Sequence, residues 1–398
     1  MRCSVKDLCR CRGAYPVFWL MVVASLLLCL MFTLSVSEDG VFVNRVSSMN
    51  VTNPAEPVRQ GSTPRVVFLV VQTKFSPGWC RMQLSSIMSN VSVVTIGVGM
   101  NYTHTKRHQW VLEYMEQEGL RDDDVVVVFD GGDTVFTGAS RVQQAVDYFM
   151  AKTAPTAAKF NATAVQNGKA VAPLLFATHP LCFTPQLELV VTEGPRDYIE
   201  KCHWFYKSMF DVAESIPGQR MVQTRGTYLY LNAGGYVGRI WALRTAFAAY
   251  AGVAAMHRNW TCDQSIWAPL HVWSILQKPE VPSHLRLPYG IMSLDYNSTF
   301  FFNPYKGRGM PVVPAMFHFP GGTKFYRNSL PMFVRSTAWF HELQQDPRLL
   351  EETKRLLRDA KLVKVRGADG FTYTHHYGRV CSVEDALSAT WLMSPLEK

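Results

Sequence analysis

Asp130 and Asp133 close an apolar run, Val-Val-Val-Val-Phe-Asp-Gly-Gly-Asp over residues 125–133. A carboxylate at the end of a buried strand is costly unless a cation, a basic partner or solvent compensates it. Two hard oxygen donors with open positions between them suit Mg2+ or Mn2+ shared with a diphosphate. Gly131 and Gly132 let the backbone turn tightly and lie close to a ligand. The bland alternative is a solvated Asp-Gly turn. A second stretch, His318-Phe-Pro-Gly-Gly-Thr-Lys324, follows another apolar run. Its imidazole could be a third metal ligand through a neutral ring nitrogen. Gly321 and Gly322 allow a close loop, and Lys324 offers a point charge to phosphate. A hydrogen-bonded core histidine is the alternative for His318.

Such groups need a scaffold, and the pattern predicts one. Residues 65–72, 91–96 and 125–129 are short apolar runs that suit strands covered on both faces. Residues 79–89 and 106–118 carry helical periodicity between them, with Trp110 and Tyr114 on the apolar side of the second. This βαβαβ alternation predicts a parallel α/β sheet, whose ligands bind beyond the carboxyl ends of the strands. Residues 174–177, 228–231 and 312–317 read as further strands and 240–256 as a helix. Residues 151–171 read as an exposed insertion, and 193–225 as a polar and aromatic excursion without a clear period. Asp346-Pro347 opens a helix, with a capping side chain and Pro at the first helical position.

The chain has 398 residues, a formal charge of +9 and 48% hydrophobic residues, values of a packed globular protein. No basic face with interleaved aromatics appears, so nucleic acid is not the expected partner. Residues 14–37 contain no charged side chain, and a membrane-spanning helix needs roughly 20 apolar residues. Arg2, Lys6, Arg10 and Arg12 precede that segment and Glu38-Asp39 follow it, so the positive-inside rule predicts a retained type II signal-anchor. The expected organisation is a cytoplasmic tail at 1–13, the anchor at 14–37, a stem at 38–64, a catalytic domain at 65–330 and a helical extension at 331–398. Sequons at Asn50, Asn90, Asn101, Asn161, Asn259 and Asn297 agree with a lumenal fate. Of the lumenal cysteines, Cys80, Cys182, Cys202, Cys262 and Cys381, at most two pairs form and one thiol is left over; Cys182 with Cys202 is a reasonable pair.

From about residue 65 to residue 324 the chain resembles the glycosyltransferase domain of the procollagen lysyl hydroxylase and collagen glycosyltransferase group. The motifs occur in that family's order. Val71-Gln72-Thr73 resembles its uridine-contacting strand end. Asp130-Gly-Gly-Asp133 before Val135-Phe136 resembles its metal motif, and Leu174 to Pro185 the strand leading to its Cys-aromatic-Pro segment. Leu231-Asn232-Ala-Gly-Gly235 resembles its Leu-Asn-Ser-Gly-Gly motif, and Asp263-Gln264 and Leu294-Asp295 two acidic signatures. His318 to Lys324 keeps its His-to-Lys spacing. Gly132 stands where the family usually has an aromatic residue on the uracil, Cys262 stands where it has a second acid, and no His-x-Asp iron motif is present.

The resemblance implies a GT-A-like, Rossmann-type mixed sheet flanked by helices, a UDP-sugar donor and Mn2+, with Mg2+ as the substitute. It implies that Asp130, Asp133 and His318 hold the metal, that Lys324 pairs with the diphosphate, and that Val71 and Thr73 contact the uridine. Asn232 and the Gly234-Gly235 turn would shape the sugar pocket, or form a structural strand-to-helix turn. Asp263 would orient the donor sugar or act as base, or cap a helix. Asp295 is a further acidic candidate, and Lys106 and Trp110 lie where the family contacts ligand. The expected function is transfer of glucose or galactose to a hydroxyl of a glycoprotein or glycan, in the Golgi or endoplasmic reticulum membrane. The alternative is a membrane-anchored surface glycoprotein that keeps the fold as a non-catalytic binding module.

Overall fold

The computed structural model describes residues 63–305, 313–320 and 330–387, all within one unit. The expected tail, anchor and most of the stem lie outside them. Among the described residues no helix is long and apolar enough to cross a membrane.

Runs of β-branched residues build the centre of the sheet, because helices cover both of its faces. Strands β1 (Val66–Val71), β2 (Val93–Ile96) and β3 (Val125–Asp130) are parallel, with β1 in the middle. Helices α1 (Pro77–Met88) and α2 (Arg107–Gln117) make the two crossovers. Ser76 caps α1 by accepting from Trp79 N, and Pro77 occupies the first helical turn. Because the chain goes from β1 to β2 on one side and returns to β3 on the other, β1 and β3 flank a topological switch point.

Beyond β3 the sheet becomes mixed. β6 (Tyr230–Arg239) runs antiparallel to both β3 and β5 (Leu174–His179), and β7 (Met292–Leu294) closes that edge. Three more strands form a small second sheet: β4 (Thr134–Phe136), β8 (Phe301–Phe302) and β9 (Met316–His318). The helices α3 (Ala139–Lys152), α4 (Tyr198–Ser215), α5 (Ile240–Ala255) and α6 (Gln264–Leu276) complete the layers. The expected mixed α/β sheet flanked by helices is therefore present.

Two segments differ from expectation. Part of the expected excursion at 193–225 is α4, whose N-terminus is capped by Asp197 through Ile199 N and Glu200 N. The expected helical extension at 331–398 is only partly helical. It contributes α7 (Ala338–Gln345) and the Asp346-capped α8 (Pro347–Asp359), and then a hairpin, β10 (Leu362–Arg366) and β11 (Thr372–His376). β10 pairs with β2 in parallel, so this segment is part of the main sheet. Among the described residues β11 is the edge strand, and its Thr-Tyr-Thr-His-His composition lacks the apolar run of a central strand. A Cys80–Cys381 disulfide ties the segment back to α1, Cys182 pairs with Cys202, and Cys262 is the thiol without a disulfide among the described residues.

Candidate metal centre

Strand register brings the three candidate ligands together from distant parts of the chain. Asp130 is the last residue of β3, beside Val71 at the end of β1. The Gly131-Gly132 turn carries the chain from Asp130 to Asp133, which precedes β4. β4 pairs antiparallel with β9 so that Thr134 lies opposite His318, and Phe319 N donates to Asp133 O at 2.9 Å. Phe136 N donates to Ser85 Oγ of α1 at 3.0 Å, which fixes β4 against the main body. Small residues permit the close approach. A Cβ on Gly131 would lie 2.6 Å from Val70 Cγ2, and one on Gly78 would lie 2.0 Å from Gly132 O.

The fourth wall is an irregularity in β6. On β5, Phe176 pairs with Tyr236 but Ala177 pairs with Asn232, so residues 233–235 bulge on the β5 side, while Gly235 stays opposite Phe129 of β3. Asn232 Oδ1 accepts from Gly234 N at 2.9 Å and holds that bulge. A Cβ on Gly234 would lie 2.2 Å from His318 Cε1 and 2.8 Å from Asp130 Oδ2, so only glycine fits beside the ligand cluster.

His318 Nε2 lies 3.6 Å from both Asp130 Oδ2 and Asp133 Oδ1, and one ligand atom from each of the three residues falls within 4.8 Å of the others. His318 is 1% exposed, whereas the two carboxylates reach the cleft. Asp133 Oδ1 and His318 Nε2 are buried and have no hydrogen-bond partner among the described residues. Buried polar atoms rarely go unpartnered. Two oxygens and one imidazole nitrogen, open on one side to a cleft, are a donor set that fits a divalent cation such as Mg2+ or Mn2+.

The electrostatics are those of a site short of positive charge. Burial pushes the Asp133 carboxyl up to about 7; His318 and Arg107 pull against the rise and Asp130 adds to it. Burial also acts on Asp130, but Arg107 and His318 outweigh it and hold that carboxyl below its usual range. Burial disfavours charge on His318, yet the two carboxylates prevail and raise its imidazole.

Arg107 is a residue of this centre that the sequence pattern did not single out. It is 5% exposed. Nη2 donates to Asp130 Oδ1 and to the Tyr102 hydroxyl (3.1 Å), and Nη1 donates to Ala233 O in the β6 bulge at 2.8 Å. Nη1 also lies 3.7 Å from Asp263 Oδ2. A signal existed: residues 107, 110, 111 and 114 share one face of α2, and all four are buried. A basic residue on the apolar side of an amphipathic helix needs an anionic partner. Lys106, the expected neighbour, is exposed.

The ligand cluster opens into a cavity of about 430 Å³ lined by Val71, Gln72, Thr73, Tyr102, His104, Asp130, Gly131, Gly132, Asp133 and Phe319. It sits at the β1–β3 switch point. Val71, Thr73, Gly131 and Gly132 of the expected ligand-contacting set thus share one cavity with the carboxylates. Asp263 precedes α6 but makes no side-chain capping bond to it; its carboxylate faces Arg107 instead. Burial raises that carboxyl, with Arg107 opposing. Asp295 has a different occupation: its oxygens accept from Thr299 N, Phe300 N and Phe301 N at 2.7–3.0 Å, which shapes the turn into β8. Trp110 packs in the core at 8% exposure. Gly321, Gly322 and Lys324 lie outside the described residues.

No family model matches the chain, and no curated protein matches it. Among solved structures, the apo form of the bifunctional glycosyltransferase WbbM is similar at 12% identity and a TM-score of 0.34, over 74% of this chain and 53% of that one. The chain thus spans about half the length of that structure. Neither the identity nor the TM-score reaches a level from which a shared activity follows.

Proposed function

We propose that the chain is a metal-dependent glycosyltransferase that moves a hexose, glucose or galactose, from a UDP-sugar to a hydroxyl of a glycoprotein or glycan. The observation that carries this is the convergence of Asp130, Asp133 and His318 beside a cavity that the two carboxylates line, with two buried ligand atoms left unpartnered among the described residues. The ordered motifs shared with the procollagen lysyl hydroxylase and collagen glycosyltransferase group supply the choice of reaction.

When bound, Mn2+ or Mg2+ supplies a Lewis acid that neutralises charge on the departing diphosphate. The chain's own residues do the rest. Asp130, Asp133 and His318 hold the ion. Arg107 fixes one oxygen of Asp130 and leaves the other, Oδ2, toward His318. Val71 and Thr73 receive the uridine, with Gly131 and Gly132 letting it lie against the backbone. Asn232 and the Gly234 bulge border the hexose. Asp263 orients the donor hexose or takes the acceptor's proton. Lys324, which lies outside the described residues, is assigned to the diphosphate.

The proposal includes a single-pass type II anchor at residues 14–37 and a lumenal domain in the Golgi or endoplasmic reticulum. In support, the described sequon asparagines Asn90, Asn101, Asn161, Asn259 and Asn297 are all exposed, and the two disulfides suit an oxidising compartment.

Hydrolysis of UDP-glucose and UDP-galactose by the purified protein, with and without Mn2+, tests the proposal. Turnover that requires Mn2+ and is abolished in the Asp130→Ala, Asp133→Ala double variant is expected. A folded protein that binds neither donor nor Mn2+, or turnover that survives in the double variant, contradicts it. Donor binding without turnover would favour a binding module over an enzyme.

A further inference from the structure

Asn303 follows β8 and is buried beside His318. Its Nδ2 donates to Thr178 O at 2.6 Å, and its Oδ1 lies 2.9 Å from His318 Nδ1. A backbone carbonyl can only accept, so the amide nitrogen must face Thr178 and the amide oxygen must face the imidazole. That oxygen can only accept in turn, so Nδ1 carries the ring proton. The neutral imidazole then bears its lone pair on Nε2, the atom that lies 3.6 Å from each of Asp130 Oδ2 and Asp133 Oδ1.

We propose that Asn303 is a positioning residue that locks His318 in the Nδ1–H tautomer and aims the Nε2 lone pair at the cation held by the two carboxylates. The inference rests on the metal-dependent reading above. Its reference point is the main sheet: Thr178 lies in the regular part of β5, paired with Leu231 of β6. Asn303 carries that reference across to β9 of the small sheet, where His318 sits. Without it, the imidazole could protonate either nitrogen, and Nε2–H would point a proton where the cation belongs. Gly234 closes the other side of the ring, since a Cβ there would meet His318 Cε1 at 2.2 Å. Loss of a partner that orients a metal-bound histidine typically weakens metal binding by about 10–100-fold.

Titration of the full-length protein with Mn2+ alone, followed by the electron paramagnetic resonance signal of free Mn2+, tests this with two substitutions. Asn303→Leu removes both hydrogen bonds. Asn303→Asp removes the donor to Thr178 but keeps an oxygen acceptor toward Nδ1. A lowered melting temperature is expected in both variants. Mn2+ binding is expected to weaken by about 10–100-fold in Asn303→Leu and to stay close to wild type in Asn303→Asp. A folded Asn303→Leu protein that binds Mn2+ like the wild type overturns the proposal. So does an Asn303→Asp protein whose Mn2+ binding is lost, because the loss would then follow the Thr178 bond rather than the imidazole; this arm decides alone if Asn303→Leu does not fold. Absence of Mn2+ binding in the wild type itself overturns the metal-dependent reading, and this inference with it.

Discussion

Arg107 Nη2 donates to Asp130 Oδ1, so a guanidinium buried on α2 grips the carboxylate that ends β3. The same guanidinium faces Asp263, which precedes α6. Two carboxylates therefore share one buried cation. Arg107→Leu leaves both without it, and removing one partner of a buried ion pair costs about 3–5 kcal/mol. Urea denaturation of the Mn2+-free protein is expected to show a loss of that size. Arg107→Lys, which keeps the charge but not the planar fork, is expected to lose less. A loss below about 1 kcal/mol in Arg107→Leu, as for an exposed pair, would contradict the assignment.

Gly234 is held in place by sterics rather than by backbone freedom. A Cβ there would enter the ligand cluster, 2.2 Å from His318 Cε1 and 2.8 Å from Asp130 Oδ2. Gly234→Ala is expected to displace one of them and to weaken Mn2+ binding by at least about tenfold. Isothermal titration with Mn2+ checks this; wild-type affinity in the variant would contradict a site that His318 and Asp130 share.

At Gly132 the situation is reversed. Among the described residues, a Cβ would meet nothing within 4 Å, and the position lines the cavity. Gly132→Phe is expected to fold normally and to bind UDP more tightly, by about three- to tenfold, since an aromatic stack is worth roughly 0.5–1.5 kcal/mol beyond area burial. Weaker UDP binding in the folded variant would place the base elsewhere.

The pH dependence follows from groups whose protonation is favoured in the folded, metal-free state. Burial lifts the Asp133 carboxyl to about 7, and the carboxylates lift His318 against the effect of burial. A group raised in this way contributes stability that is fully present below its unfolded pKa, about 4 for an aspartate, and is lost as pH rises through its folded value. Metal-free protein is therefore expected to melt at lower temperature at pH 8 than at pH 6. Mn2+ replaces the protons, so its stabilising effect should be larger at pH 8 and its affinity should fall as pH drops below about 7. Differential scanning calorimetry at the two pH values, with Mn2+ and with a chelator, checks both. An Mn2+ effect that grows toward acid pH would contradict this protonation scheme.

Much of this was legible in the residues. The β1–β3 runs are continuous because both sheet faces are covered, so the parallel core and the location of Asp130 at a strand end follow from hydrophobicity alone. The His318 contribution was legible as an odd residue type at a strand end. The register that opposes Thr134 and His318 was not, because antiparallel pairing between β4 and β9 joins segments far apart in sequence and leaves no local trace. The sequence pattern ends a strand at residue 231, because glycines weaken a strand pattern; in the fold β6 continues to Arg239 and those glycines lie in its bulge. The β10–β11 hairpin escaped notice because an edge strand need not be apolar. Arg107 was hidden by its neighbour: Lys106 and Arg107 look equivalent in composition, and only the helical period distinguishes the exposed one from the buried one.

The most direct measurement of the central claim is anomalous diffraction at the manganese edge from crystals grown with Mn2+ and UDP. One peak is expected, bonded to an oxygen of Asp130, an oxygen of Asp133 and Nε2 of His318, with the UDP diphosphate completing the shell. No peak at this position, or a peak that leaves the His318 imidazole uncoordinated, would contradict the account.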